Sequence, residues 1–458
     1  MKPRSFVRTA AAAVALTLVA TACGSDEKSS DSSAATATTT ATTTATTIAT
    51  TTQDAGTDTS PTAASDPEIT AESAAGSSPV ASSATEPSTA AAASGAPVVI
   101  GFVNQEKGSG STFPDIRIGA DAAVELINEQ GGINGHPLVL EKCETDGSPE
   151  ASQACANQMI EKDVVAVATG IDYGGTAGAP IVTAAGIPYF PTLPTNAADY
   201  GTEGVFNFFG GSAGQYVNQV SYIKDTLKAT KVGVLVINVP AGVSTAEGLV
   251  KTPLEAAGIP TNVVPADPNT ADFTPMLTAI MRGKPDVITV LFTGPPCGQI
   301  MQARGALGIT VPTLFPSGCI DKDYLAAGGT GADGVTFSVE SLVPSLHGDD
   351  PDVVTFLDAM DRFGGVDADA ITTYQQVGYI NIFDLAQVLR EAGDDITPAS
   401  VIAAAAASKE HASPMAGSYT CDGSALAGFP TICNAAVRFV QREGDGFTEL
   451  TPSWVTAG

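Results

Sequence analysis

An α/β fold in two similar lobes, each a parallel sheet wrapped by helices, is predicted from residue 97 onward by three observations. Short β-branched runs alternate there with longer stretches of helical periodicity, the pattern of strands joined by crossover helices. A glycine followed by isoleucine closes four of the helical stretches, at Gly132-Ile133, Gly186-Ile187, Gly258-Ile259 and Gly308-Ile309, two in each half. The 362 residues from Pro97 to Gly458 exceed what one hydrophobic core usually serves, so two lobes are expected.

Each element follows from its residues. The run 98–103, VVIGFV, reads as the first strand, and Ile116, Ala120, Ala123, Val124 and Ile127 then mark one face of a helix ending near Gln130. Strands follow at 138–143 and 164–169, on either side of a helix at 150–162. The second half repeats the scheme, with strands at 232–237, 287–292 and 313–315 and helices at 246–257, 273–281 and 299–307. In each Gly-Ile pair the glycine can take the left-handed conformation that ends a helix, and the isoleucine packs back on the last turn. Residues 418–421, 436–441 and 447–450 read as an antiparallel tail.

The first 96 residues are of another kind. Lys2, Arg4 and Arg8 precede an apolar run at 10–20 that is too short to span a bilayer, and the small residues Ala20-Thr21-Ala22 lead into Cys23. Residues 1–22 therefore read as an export signal, and the order Val19-Ala20-Thr21-Ala22-Cys23-Gly24 resembles a bacterial lipobox, whose cysteine carries the lipid anchor. Residues 24–96 hold no Leu, Met, Phe, Trp, Tyr or Cys, and 12 of the 17 residues from 36 to 52 are Thr, so they cannot build a core. The expected arrangement is a lipid-anchored, disordered Thr/Ala/Ser-rich tether at 23–96 that holds the protein at the outer face of the cell membrane.

Charge and cysteines narrow the class. With 21 Lys plus Arg against 49 Asp plus Glu the chain carries −28, and setting aside the leader and tether leaves −23 from Pro97 onward. A surface that acidic argues against nucleic acid or anionic lipid as a partner. Apart from Cys23, six cysteines fall into three close pairs: Cys143 with Cys155, Cys297 with Cys319, and Cys421 with Cys433. Six allow fifteen pairings; the sequential one closes the shortest loops and suits an oxidising compartment. The rival readings, a metal site or a thiol nucleophile, find no C-x-x-C spacing and only 3 His, so neither metal nor cofactor is expected.

The run INEQGGINGHPL at 127–138 resembles a motif of the periplasmic branched-chain amino-acid-binding family, the type I solute-binding proteins of ABC importers. The acidic stretch 144–146, the loop 170–176, Asp272-Phe273, Lys284-Pro285-Asp286-Val287, Gln302-Ala303-Arg304 and Tyr374 stand where that family carries similar residues. The resemblance implies two Rossmann-like lobes joined by three crossings, placed near Gly210, Glu340 and Ser413. One lobe would comprise 97–210 and 341–412, the other 211–340 and 413–458. It implies a small-molecule ligand held in the cleft, closure about a hinge, delivery to an ABC permease, a monomer and no covalent step. Carried over position by position, hydrogen bonds fall to Gly175, Thr176 and Thr195, aromatic walls to Phe113, Tyr173 and Tyr374, and a second-lobe contact to Asn238. The helix beginning near Thr176 would present unpaired N–H groups to an anion.

Two departures bear on the ligand. The aromatic that precedes a glycine in the family's first second-lobe loop is Ala241 here, and no acid stands near Gly294-Pro295-Pro296 to meet an ammonium. An unpaired ammonium in a closed cleft costs several kcal/mol, so an amide or a carboxylate is as open as an amino acid. The competing reading is a secreted serine hydrolase, because Gly210-Gly211-Ser212-Ala213-Gly214 spells G-x-S-x-G between the strand-like run 205–209 and a helix, with His411 downstream.

Overall fold

The computed structural model describes residues 93–108 and 111–457. The export signal, Cys23 and nearly all of the tether lie outside the described residues. In chain order the first lobe contributes β1 (Val98–Gln105), α1 (Pro114–Glu129), β2 (Leu138–Thr145), α2 (Pro149–Glu161), β3 (Val167–Thr169), α3 (Gly175–Ala184), β4 (Tyr189–Pro191) and α4 (Ala197–Gly201). The second lobe follows with α5 (Gly211–Asp225), β5 (Val232–Ile237) and α6 (Pro240–Thr245), which runs through a wide π turn into α7 (Thr252–Ala256). It continues through β6 (Thr261–Ala266), α8 (Thr274–Arg282), β7 (Val287–Leu291), α9 (Pro296–Ala306), β8 (Thr313–Pro316), α10 (Lys322–Gly328) and β9 (Val335–Val339). The chain then returns to the first lobe for α11 (Pro351–Ala359), α12 (Thr373–Glu391) and α13 (Pro398–Ala407), and ends with β10 (Arg438–Glu443) and β11 (Gly446–Glu449) in the second.

The first sheet is parallel throughout, in the order β2-β1-β3-β4. The second runs β11-β10-β9-β8-β7-β5-β6, parallel from β6 to β9, with β10 and β11 antiparallel at one edge. β1 and β7 are buried on both faces, as a sheet sandwiched between helices requires. In each sheet the strand order reverses beside its first strand, between β1 and β3 and between β5 and β7, and the loops leaving those carboxyl ends form a crevice.

All four Gly-Ile pairs end helices as expected: Gly132, Gly186, Gly258 and Gly308 have φ of 73°, 79°, 80° and 61°. The N–H groups of Ile187, Ile259 and Ile309 bond the carbonyls five residues back, and all four isoleucines are buried. The three sequential disulfides form, with Cys143–Cys155 tying β2 to α2 and Cys297–Cys319 spanning the carboxyl edge of β7 and β8.

Several expectations differ from the structure. The run 205–209 makes only isolated bridges, Val205 to Tyr189 and Asn207 to Ile432, because its aromatics Phe208 and Phe209 fill the first core while the backbone leaves for the second lobe. The strand expected at 164–169 is ladder-paired to β1 and β4 only over Val167–Thr169. The helix expected at 246–257 is the end of a longer one that begins at Pro240. Around the crossings expected at Gly210 and Glu340, Phe209 packs in the first core and Tyr216 in a second-lobe core, and Val339 and Val343 pack in the second lobe while Leu342 between them packs in the first. After Ser413, however, Met415, Tyr419 and Cys433 still pack in the first core, and Val437 is the next residue in a second-lobe core. The Cys421–Cys433 disulfide and the Cys433 N–H to Asn207 O bond hold that stretch to the first lobe.

Candidate ligand-binding site

The crevice is walled on the first lobe by the loops after β1, β3 and β4. After β1 the chain turns back on itself: Phe113 N–H donates to Gln105 O (2.9 Å), and buried Asn104 donates from Nδ2 to Phe113 O (2.8 Å) and Glu106 (3.0 Å). Glu106 also accepts Arg117 Nε at 2.9 Å on both oxygens, so its charge is matched. The turn delivers Phe113 to the start of α1, with its ring 5.9 Å from Tyr173 and 5.5 Å from Tyr374, both edge-on. Three of the sequence-predicted residues are thus one aromatic group.

After β3 the loop folds around Asp172, which is 5% exposed. Its carboxylate accepts Thr145 Oγ1 (3.0 Å), Ser152 Oγ (2.7 Å) and Gly174 N–H (3.2 Å), and its carbonyl accepts Gly175 N–H (3.0 Å). The glycines therefore serve a different purpose from the one the sequence suggests. A Cβ on Gly174 would lie 2.3 Å from Ser148 O, so this residue is glycine to let the loop sit on α2, and its N–H points inward. Thr176 is exposed on the first turn of α3, where the first N–H groups of a helix have no intrahelical partner.

The loop after β4 adjoins this one: a Cβ on Gly175 would stand 2.9 Å from Asn196 Nδ2. Asp199 accepts the N–H groups of Thr195 (2.9 Å) and Asn196 (3.2 Å) and fixes their backbone, and burial pushes its carboxyl up to about 7 against those bonds. The hydroxyls of Thr195 and Thr192 are buried without a hydrogen-bond partner among the described residues. An orphaned buried hydroxyl costs about 1–3 kcal/mol, which an incoming polar group would relieve.

The second-lobe wall consists of the ends of β5, β7 and β8. Asn238 is exposed after β5 with its N–H on Ala266 O (2.8 Å), and no side-chain hydrogen bond ties it to the other sequence-predicted residues among those described. Tyr374, at the start of α12 in the first lobe, reaches across: its hydroxyl meets Thr293, and a Cβ on Gly318 would be 3.1 Å from it. Burial raises its phenol above the usual range, with Tyr173 and Tyr324 nearby. Residues 293–298 carry no acid, and Asp321, whose charge is felt at Tyr374, caps α10 through Oδ1, which accepts Asp323 N–H and Tyr324 N–H. Thr192, Asp172 and Thr293 are absent from the sequence-predicted set; Thr192 opens the stretch Thr192-Leu193-Pro194-Thr195 whose last hydroxyl was expected at the site, and an acid between two apolar residues at a strand end, as in Ile171-Asp172-Tyr173, is the signal that could have found Asp172.

Ser212 stands on the first turn of α5 beside the Tyr200 hydroxyl. The three histidines have other partners among the described residues: His136 faces Ala96 O, His347 faces Glu449, and His411 faces Glu391 and Tyr419. No histidine therefore stands in hydrogen-bond contact with Ser212 as general base, and the G-x-S-x-G run opens a helix at the crossing.

A family model described as periplasmic binding protein matches residues 97–429. Among curated proteins, a Leu/Ile/Val-binding protein homolog 3 of Brucella melitensis is 26% identical over 247 residues, 52% of this chain and 66% of that protein. The chain thus spans just under two thirds of that relative. An amino acid binding protein of Pseudomonas aeruginosa is 28% identical over 305 residues, 64% of this chain and 79% of the relative. Among solved structures, a branched-chain amino acid ABC transporter protein of Thermus thermophilus with bound valine superposes with a TM-score of 0.68 at 15% identity, covering 79% of this chain and 96% of that one. A solute-binding protein of Rhodopseudomonas palustris in complex with 4-hydroxybenzoate gives 0.65 at 18% identity, covering 79% and 97%.

Proposed function

Because the chain belongs to the periplasmic binding protein family, we propose that it is the lipid-tethered, extracytoplasmic solute receptor of an ABC importer, closing its two lobes on a small carboxylate. The observation that carries this reading is the pair of hydroxyls, Thr192 and Thr195, that have no hydrogen-bond partner among the described residues, on a loop that adjoins Gly175 at the start of α3. A carboxylate placed there would accept from hydroxyls and from a helix N-terminus, while Phe113, Tyr173 and Tyr374 would cover its apolar body.

The absence of an acid from residues 293–298 favours an acid without a free ammonium over an α-amino acid. The related structures hold both kinds, valine in one and 4-hydroxybenzoate in another. A thermal-shift screen tests the reading, since a ligand that binds only the native state raises its melting point. Monocarboxylates should raise it and their amides should not; stabilisation by the amides alone would discard the carboxylate assignment.

Cys23 is the proposed anchor, followed by a tether long enough to let the receptor reach a neighbouring permease. A fatty-acid analogue should label the wild-type protein in cells and leave Cys23→Ala unlabelled; equal labelling of both would remove the anchor.

A further inference from the structure

The crossings expected near Gly210 and Glu340 come together at the buried carboxylate of Glu340. Glu340 is 2% exposed; its Oε1 accepts Gly211 N–H at 2.8 Å and its Oε2 accepts Gln215 Nε2 at 2.6 Å. Gln215 in turn accepts Ser317 N–H on Oε1 at 2.9 Å. A backbone N–H can only donate, so this bond fixes which way the Gln215 amide points. Ser317 begins the turn Ser317–Cys319 on the second-lobe wall, and its carbonyl accepts Thr373 Oγ1 (3.3 Å) from the first lobe. The next residue, Gly318, lies against the Tyr374 hydroxyl. An unbroken chain of buried hydrogen bonds therefore runs from the hinge to the aromatic wall of the cleft. Gln219 and Ser338 brace it from the side, Gln219 donating to Ser338 Oγ at 2.8 Å.

We propose that Glu340 is a positioning residue of the hinge: by holding Gln215 it holds the Ser317 turn against Thr373 and Tyr374, so that the second-lobe wall depends on the charge of a carboxylate that never meets the ligand. The proposal rests on the cleft being the binding site, but the relay is readable without a ligand. Ionised, Glu340 is surrounded by donors only. A proton on Oε2 sets donor against donor at Gln215, and the contact is restored only if the amide turns over. The turned amide presents Nε2 to Ser317 N–H, which then has no acceptor.

The titratable groups around Glu340 are phenols, Tyr200 from α4 and Tyr216 from α5, with Asp199 beyond Tyr200. None of its hydrogen-bond partners among the described residues is Lys, Arg or His. Burial, opposed by the bonds from Gly211, Gln215 and Gly210, pushes its carboxyl up to about 7. The two relay states therefore exchange across neutral pH.

Amide hydrogen exchange on the unliganded full chain tests this between pH 6 and pH 8. Corrected for the intrinsic pH dependence of exchange, protection at Ser317 should fall roughly five- to tenfold toward pH 6, the worth of one buried hydrogen bond, while Leu314 in β8 stays constant. Glu340→Gln should show the low, pH-independent value throughout. Gln215→Met should do the same at Ser317 while leaving Gly211 protected. Protection at Ser317 that is flat with pH in the wild type overturns the relay whether or not either variant folds. So does a Glu340→Gln effect confined to Gly210 and Gly211. Failure of every acid to bind would defeat the ligand reading and leave this result standing.

Discussion

Gly378→Val should lower the thermal midpoint by on the order of 10 °C, with a loss of about 3–5 kcal/mol, the upper range for a single core substitution. Gly378 lies on α12 where that helix meets α1 backbone to backbone, and a Cβ there would fall 2.1 Å from Ile116 O. Gly119 makes the reciprocal approach, its Cβ position 1.9 Å from Gln375 O. Both obstacles are carbonyls of buried helices, which no side-chain rotation can clear, so the helices must separate along a face that includes Ile116, Ala120, Ala123, Val377 and Ile380. The consequence reaches the site, because Phe113 caps α1 and Tyr374 lies in the first turn of α12. Gly248→Ala is the control: its Cβ would meet nothing within 4 Å, and its melting point should stay within a degree or two of wild type. Equal, small effects in calorimetric melts of the two variants would mean that α1 and α12 are not in backbone contact.

The second large effect is a stability that falls as pH rises from 5.5 to 8. Glu340 and Asp199 are both held near 7 by burial, and burial raises Asp384, bonded to Ser413, well above the usual range. When the folded-state value lies above the unfolded one, the folded protein binds the extra protons; the stabilisation is complete below the ordinary carboxylate range near 4 and is lost as pH passes through the folded-state value. Each of the first two groups contributes on the order of 2 kcal/mol between pH 5.5 and 8. The carboxyls held below their usual range, such as Asp286 bonded by Thr230 and Lys231, act in the opposite sense, but only below about pH 4. The self-repulsion of a chain at −28 adds to the alkaline loss. Denaturant melts should therefore give a higher midpoint at pH 5.5, and Asp199→Asn should flatten the profile. A midpoint that rises toward pH 8 would contradict the burial of these carboxyls.

The sequence made legible those features that depend on local pattern. Alternating apolar runs located β1, β2, β5, β7 and β8, and the Gly-Ile stops marked helix ends, because both signals come from a few neighbouring residues. β6 was hidden because it is a half-exposed edge strand with Pro265 in its ladder, and proline argues against a strand. β4 was hidden because it is only three residues long. Phe113, Tyr173 and Tyr374 were named from the resemblance, and the structure brings their three rings together. The inward turn of the Gly174 and Gly175 amides was not legible, because it depends on Asp172 reaching Thr145 and Ser152 from other elements. Glu340 was named only as the place of a crossing, and its hydrogen bonds were hidden for the same reason: its partners Gly211 and Gln215 lie 129 and 125 positions away.

Titration calorimetry with matched pairs tests the central claim most directly, each monocarboxylate measured against its own α-amino acid, for example 3-methylbutanoate against valine. In a panel of aliphatic and aromatic acids, at least one acid without an ammonium should bind at least tenfold more tightly than its amino counterpart. Thr176→Ala with Thr195→Ala should weaken it by about 1–3 kcal/mol, with the melting point of the free protein little changed. An amino acid that binds as tightly as its deaminated partner, or an acid whose affinity survives the double substitution, would contradict the account.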